Sequence, residues 1–337
     1  MKKFLILFIS IMLLSLAGCG DKEYEIPLII YDSEDLYMQD FEDLIYLNDD
    51  YAEFHFTSYD SKNSQIIQNE IVGDVFLNES NVIVVNPVDR LGVYPIIAKA
   101  KENDISIIFI NREPIKEDLL LYDKLYYVGA KPEQSAEYQA DIIIDLFGGN
   151  PDSLNEFDLN EDNIIQCVIL KGEPGHQDAE IRTENVIEEL LTAGFEVEIL
   201  TVEEAYFSQD LASQKMRDLI PLYGESMEVV IANNDAMAIG AINVLIEEEY
   251  FIDENLDGII DRATETWFPV VGIDGLPIAV ELIEQGYLYG TVLNDSETMA
   301  QAINELAFLL VSGLDISDFS FVIEDNKYIW IDYKKIY

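Results

Sequence analysis

From about residue 27 onward, short β-branched and aromatic runs alternate with longer amphipathic segments, and this rhythm constrains the fold more than any other feature of the chain. Candidate strands are Pro27–Tyr31, Ala52–Ser58, Val82–Asn86, Ile105–Ile110, Lys124–Val128, Ile164–Lys171, Glu196–Leu200, Val229–Ala232, Val270–Ile273 and Tyr289–Leu293. Helix-like stretches such as Leu36–Tyr46, Pro132–Phe147, Asp178–Ala193, Asp235–Glu249 and Ser296–Leu310 lie between them. Near-continuous apolar strands alternating with helices predict α/β architecture, with parallel sheets covered on both faces. Gly194 is placed to end the helix before strand Glu196–Leu200. At 337 residues the chain is long enough for two cores. No Pro- or Gly-rich stretch marks a tether, so short hinges are expected to join the two domains.

The formal charge is −47, from 66 acidic and 19 basic side chains. Nucleic-acid binders need clustered Lys and Arg to displace phosphate counterions, and such a balance argues against that class. Disorder is excluded by a chain that is 49% hydrophobic and 11% aromatic. Two cysteines cannot build a disulfide framework. Cys167 sits in an apolar run and reads as a small buried hydrophobe. Cys19 differs: Met1-Lys2-Lys3 precede an apolar stretch, Phe4–Ala17, which ends at Gly18-Cys19. A basic start, an apolar centre and small residues at the end make an export signal too short to span a bilayer. Leu16-Ala17-Gly18-Cys19 resembles a bacterial lipoprotein signal, which implies lipidation at Cys19 and an extracytoplasmic, membrane-tethered chain. Removing residues 1–18 takes away two lysines and carries the charge to −49.

In open α/β sheets ligands bind where strands end and loops begin. Asp35 and Tyr37 follow the first candidate strand, and Asn111 follows Ile105–Ile110. Gly172–Asp178, with His176, follows Ile164–Lys171, and Asn233-Asn234-Asp235 follows Val229–Ala232. Asp274 and then Asn294-Asp295 follow the last two. Asn and Asp favour turns and helix caps wherever they occur. Six such exits in register suit a neutral, polyhydroxylated ligand, because these side chains pair with neighbouring hydroxyls. Arg182 is one helical turn beyond Asp178 and so faces the same cleft.

Several runs resemble the bacterial galactose/glucose-binding proteins of sugar ABC transport. They are Leu170–His176 with Asp178 and Arg182, Val229–Ala238, Val271–Asp274, Gly290–Asp295, Ile108–Pro114 and Tyr126–Gly129. The resemblance implies a type I periplasmic binding protein fold: two Rossmann-like domains with parallel sheets joined by three hinge crossings. It implies sugar contacts from Asp35, Asn111, His176, Asp178, Arg182, Asn234, Asp274 and Asn294. A pyranose would be sandwiched by Tyr37 and Phe207, which depart from the family's usual Phe and Trp. The expected division is a signal (1–18), a leader (19–26), a first lobe (27–129 and 295–321) and a second lobe (130–294 and 322–337). The last strand, near Tyr328–Tyr333, is expected in the second lobe. The implied partners are galactose or glucose, an ABC permease or a chemoreceptor, and the implied state is a monomer.

Asp158, Asn160, Asp162 and Gln166 occupy positions 1, 3, 5 and 9 of a loop with EF-hand spacing, with the Ile164 carbonyl at position 7. The usual glutamate at position 12 is missing; the resemblance supplies Glu228 from elsewhere and implies structural calcium. Asp253, Asn255, Asp257 and Asp261 repeat the spacing, with Glu265 one place late. Nothing in the family carries over to this second run, so a calcium loop and a solvated acidic loop both stay open.

Other classes fit less well. A sugar-responsive repressor needs a DNA-binding helix pair and a basic face. A glycoside hydrolase needs an acid–base carboxylate pair; Asp35, Asp178 and Asp274 are present, but nothing singles out two of them. A phosphate-binding Gly-rich loop, as nucleotide enzymes require, is absent from the sequence.

Overall fold

The computed structural model describes residues 24–47, 54–77 and 80–337; the signal, Cys19 and most of the leader lie outside the described residues. The first lobe runs β1 (Tyr24–Ile30), α1 (Leu36–Tyr46), β2 (Phe54–Asp60), α2 (Gln65–Val75), β3 (Val82–Val85), α3 (Tyr94–Glu102), β4 (Ser106–Ile110), α4 (Lys116–Leu119) and β5 (Leu125–Gly129). The second continues through α5 (Pro132–Leu146), β6 (Ile164–Lys171), α6 (Gln177–Thr192), β7 (Glu196–Glu204), α7 (Gln209–Tyr223) and β8 (Val229–Ala232). It then adds α8 (Asp235–Glu247), β9 (Val270–Val271), α9 (Pro277–Glu284) and β10 (Thr291–Leu293). The chain ends with α10 (Ser296–Ser312), β11 (Tyr328–Trp330) and β12 (Lys334–Ile336).

The first sheet has the order β11-β5-β4-β3-β1-β2, all parallel. Its inner strands β3 and β4 are buried along their whole length because each face packs on helices. Val82, Val84, Ile108 and Ile110 join Phe41, Ile45 and Ile303 on one side. The intervening Ile83, Val85, Ile107 and Phe109 join Val72, Val75, Ile96 and Ile97 on the other. The period of two is present, but both phases are hydrophobic.

The second sheet runs β7-β6-β8-β9 in parallel. Single parallel bridges, Val271 to Gly290 and Asp274 to Leu293, extend it to β10, and β10 pairs antiparallel with β12. Gly194 takes φ +95°, closing α6 before β7 as its position in the sequence indicates.

The chain passes between lobes after β5, after β10 and between β11 and β12, which makes three crossings. One expectation is corrected. Tyr328–Trp330 does not return to the second lobe but adds to the edge of the first sheet, with Tyr328 opposite Tyr127 and Trp330 opposite Gly129. A stacked Tyr328–Trp330 ring pair and Tyr127 lying edge-on to Trp330 hold it there. Only Lys334–Ile336 lies with the second lobe. Among the described residues no helix is long and apolar enough to cross a membrane.

Candidate functional site

All ten expected sugar-contact residues line one cavity between the lobes: Asp35, Tyr37 and Asn111 from the first, and His176, Asp178, Arg182, Phe207, Asn234, Asp274 and Asn294 from the second. It opens to solvent. Tyr31 and Arg112 line it too, although neither carried a role in the sequence reading. Tyr31 closes an apolar run and reads as core. Arg112 directly follows Asn111, and that adjacency was the available signal.

Helix starts position much of the site. Asp35 caps α1 by accepting from the Met38 amide at 2.9 Å, and Asn234 caps α8 by accepting from the Met237 amide at 3.0 Å. His176 caps α6: its Nδ1 accepts from the Asp178 amide at 3.2 Å, which leaves the ring proton on Nε2 as a donor. Burial, aided by Arg112 and Arg182, holds His176 well below its ordinary pKa, so the ring is neutral. Each cap ties a side chain to the backbone where a strand hands over to a helix.

Arg182 organises the second-lobe floor. It donates to the Asn233 carbonyl at 2.9 Å and to the Tyr333 hydroxyl at 3.1 Å, and it lies 3.3 Å from Asp178 and 3.9 Å from Asp274. Burial pulls its pKa down, but Tyr333, Asp178 and Asp274 more than offset this. Burial raises Asp178 and Asp274, and Arg182 partly counters the shift in both. Carboxyls stripped of water in this way gain most from ligand hydroxyls that restore the lost hydrogen bonds. Three buried atoms of the lining have no protein partner: Arg112 Nε, Arg182 Nε and Asn294 Oδ1.

The first-lobe wall is built differently. The Tyr31 hydroxyl donates to Asp35 Oδ2 at 2.5 Å, and the Arg112 guanidinium lies 3.8 Å from the centroid of the Tyr31 ring. Tyr37 packs on Phe41, with centroids 5.6 Å apart. Across the cavity Phe207 meets His176 edge-on at 5.2 Å. A Cβ on Gly172 would come within 2.2 Å of the Phe207 ring, so glycine there makes room for the aromatic wall. Asn111, Phe207 and Asp274 take φ values of +59°, +60° and +128°. Strain of this kind costs about 1–3 kcal/mol per residue and persists where the surroundings fix it.

The chain matches the model for the periplasmic binding protein domain over residues 25–315. It belongs to the periplasmic binding protein family. It is 38% identical over 256 residues to the D-galactose/methyl-galactoside binding periplasmic protein MglB of Haemophilus influenzae, covering 75% of this chain and 71% of that one. A Bacillus halodurans ABC transporter solute-binding protein, solved with myo-inositol, shares 25% identity and a TM-score of 0.71 over 95% of this chain and 96% of that one. An Actinobacillus succinogenes binding protein solved with D-allose shares the fold, with 18% identity and a TM-score of 0.73 over 93% of this chain and 96% of that one.

The 158–166 loop of this binding protein lies at the start of β6, at the opposite end of that strand from the cavity. Asp158 accepts from the amides of Asp162 and Asn163, Asn160 accepts from Asp162, and Asp162 accepts from Ile164. Glu228, 2% exposed, accepts from Leu159 at 2.6 Å and from Gln166 at 3.1 Å. Burial pushes its carboxyl up to about 7, with Asp158 and Asp162 adding to the rise against the pull of those two amides. Gln166 Oε1 is buried without a protein partner.

The 253–261 loop repeats this pattern. Asp253, Asn255 and Asp257 accept from loop amides, and Glu265 accepts from Glu254 and Asp261. Glu265 thus occupies the place that Glu228 holds in the first loop. The second loop is largely exposed. Among the described residues, no three Asp, Glu, His or Cys side chains converge to hold a metal ion as they stand.

Proposed function

We propose that this chain is an extracytoplasmic solute-binding lipoprotein, tethered through Cys19, that captures galactose or glucose between its lobes and delivers it to an ABC permease. It catalyses no reaction. One observation carries the reading: ten residues from both lobes, most of them just beyond strand ends, line a single cavity. Each group suits a hexose hydroxyl. Asp35, Asp178 and Asp274 accept, neutral His176 and Arg182 donate, and Asn111, Asn234 and Asn294 do both. Tyr37 and Phe207 supply apolar faces for the ring. A ligand that touches both lobes favours the closed form by its differential affinity, and the permease reads that form.

The similarity to the D-galactose/methyl-galactoside binding protein supports a hexose over a pentose. Calorimetry of the protein against galactose, glucose, ribose, xylose and myo-inositol tests this. One-to-one binding of a hexose, with pentoses much weaker, is the expected result; heat from none of the five would overturn it.

We further propose that calcium binds the first loop through Asp158, Asn160, Asp162, Gln166, Glu228 and the Ile164 carbonyl. The unpartnered Gln166 Oε1 and the buried Glu228 carboxyl beside two aspartates fit a hard cation. Bound there, the ion would offset the mutual repulsion of three carboxylates and brace the loop, far from the ligand.

A further inference from the structure

We propose that Arg112 and Glu113 of the first lobe form a two-point clasp with Glu173 and Gln177 of the second, and that this clasp sets how long the closed cleft holds its ligand. The inference rests on the reading of the cleft as a capture site. Arg112 and Glu113 are consecutive residues beyond β4, while Glu173 and Gln177 bracket the turn that carries His176. Arg112 meets Glu173 Oε2 at 3.2 Å, and Gln177 Nε2 donates to Glu113 Oε2 at 3.1 Å. Both contacts pass from one lobe to the other over the ligand cavity.

The first-lobe half is held ready. Arg112 is 6% exposed, donates to the Val88 carbonyl at 2.6 Å and lies over the Tyr31 ring. Arg90 donates to the Glu113 carbonyl at 2.8 Å and fixes the same turn. These contacts lie within the first lobe and survive opening, so only the cross-lobe partners are lost when the lobes part. Glu173 lines two outer openings of the cleft but not the inner cavity, whereas Arg112 lines all three. The pair therefore sits where the inner cavity meets those openings. Because it forms only on closure, its loss speeds release more than it slows capture.

Glu173→Gln tests this without altering the inner cavity. Two readouts are needed: galactose release by stopped flow, and the closed fraction of the ligand-free protein by energy transfer between dyes. The dyes go on Asn69→Cys and Glu188→Cys, exposed positions of the two lobes, in a Cys19→Ser background. Release is expected to accelerate about five- to tenfold, since the Arg112 side chain is 6% and that of Glu173 33% exposed, which puts the pair between exposed and buried pairs in strength. Association should change less than about twofold. The closed fraction should fall, and added salt should mimic the substitution in wild type while adding little in Glu173→Gln; a general structural defect would leave that salt response in place. Unchanged release, salt response and closed fraction would overturn the clasp. If the wild type binds no hexose, the sugar reading fails, and the closed fraction alone then decides: equal values in wild type and variant overturn the clasp, and a lower value in the variant supports it.

Discussion

The two lobes share one plan and divide the work unequally. Each sheet runs 2-1-3-4-5 in its own strand order and is completed by a strand from the chain's end: β11 in parallel on the first, β12 antiparallel on the second. The second lobe brings seven of the ten expected site residues, organised around Arg182, and both acidic loops. The first brings Asp35, braced by the Tyr31 hydroxyl, and the half of the clasp that swings over the cavity. The same topology thus yields a charged, pre-ordered floor and a more aromatic wall. The difference lies in the loops and not in the sheets, as expected where function is grafted onto a repeated scaffold.

The comparison breaks most readily at Arg182. Arg182→Met strands two buried carboxylates and should cost about 3–5 kcal/mol of stability in denaturant unfolding, with hexose binding lost by calorimetry. No single substitution in the first-lobe wall should match it. The two acidic loops offer the next contrast. Calcium in about hundredfold excess over its dissociation constant stabilises by about 2.7 kcal/mol, a melting rise of roughly 5–10 °C. Thermal scans should show that rise abolished in Glu228→Gln, where the carboxyl is buried, and retained in Glu265→Gln, on the exposed loop.

A smaller effect compares two hydroxyls. Tyr31→Phe frees Asp35 in the first lobe, and Tyr333→Phe frees Arg182 at the third crossing. Each should weaken hexose affinity about tenfold, the worth of a hydrogen bond to a charged group. Smallest is the pH response of His176. Its folded pKa is depressed, so the native chain binds fewer protons than the unfolded one below about pH 6.5. The stability it contributes is complete above that pH and is lost as the pH falls. His176→Asn should flatten this part of the stability profile, and wild-type affinity should stay level between about pH 6.5 and 8.

Much of this division was legible in the sequence. Polar residues just after apolar strands stand out, and the strand-exit rule places them in one cleft without knowledge of their contacts. Tyr31 escaped because a tyrosine ending an apolar run looks like core until its hydroxyl is seen on Asp35. The sheet that Tyr328–Trp330 joins is not legible, because three residues carry no signal for which edge they take; edge-on ring contacts with Tyr127 decide it. Glu265 was noted as one place late. The turn in which its amide bonds the Asp261 carbonyl brings it back to the loop, a correction that spacing alone cannot show.

The central claim is that one hexose touches both lobes at once. Titration of galactose into wild type, Asp35→Ala and Asp178→Ala tests it most directly, with one carboxylate removed from each lobe. The account predicts one site in the wild type and binding weakened at least about tenfold in both variants. Full-strength binding in either variant would contradict a ligand held between the lobes.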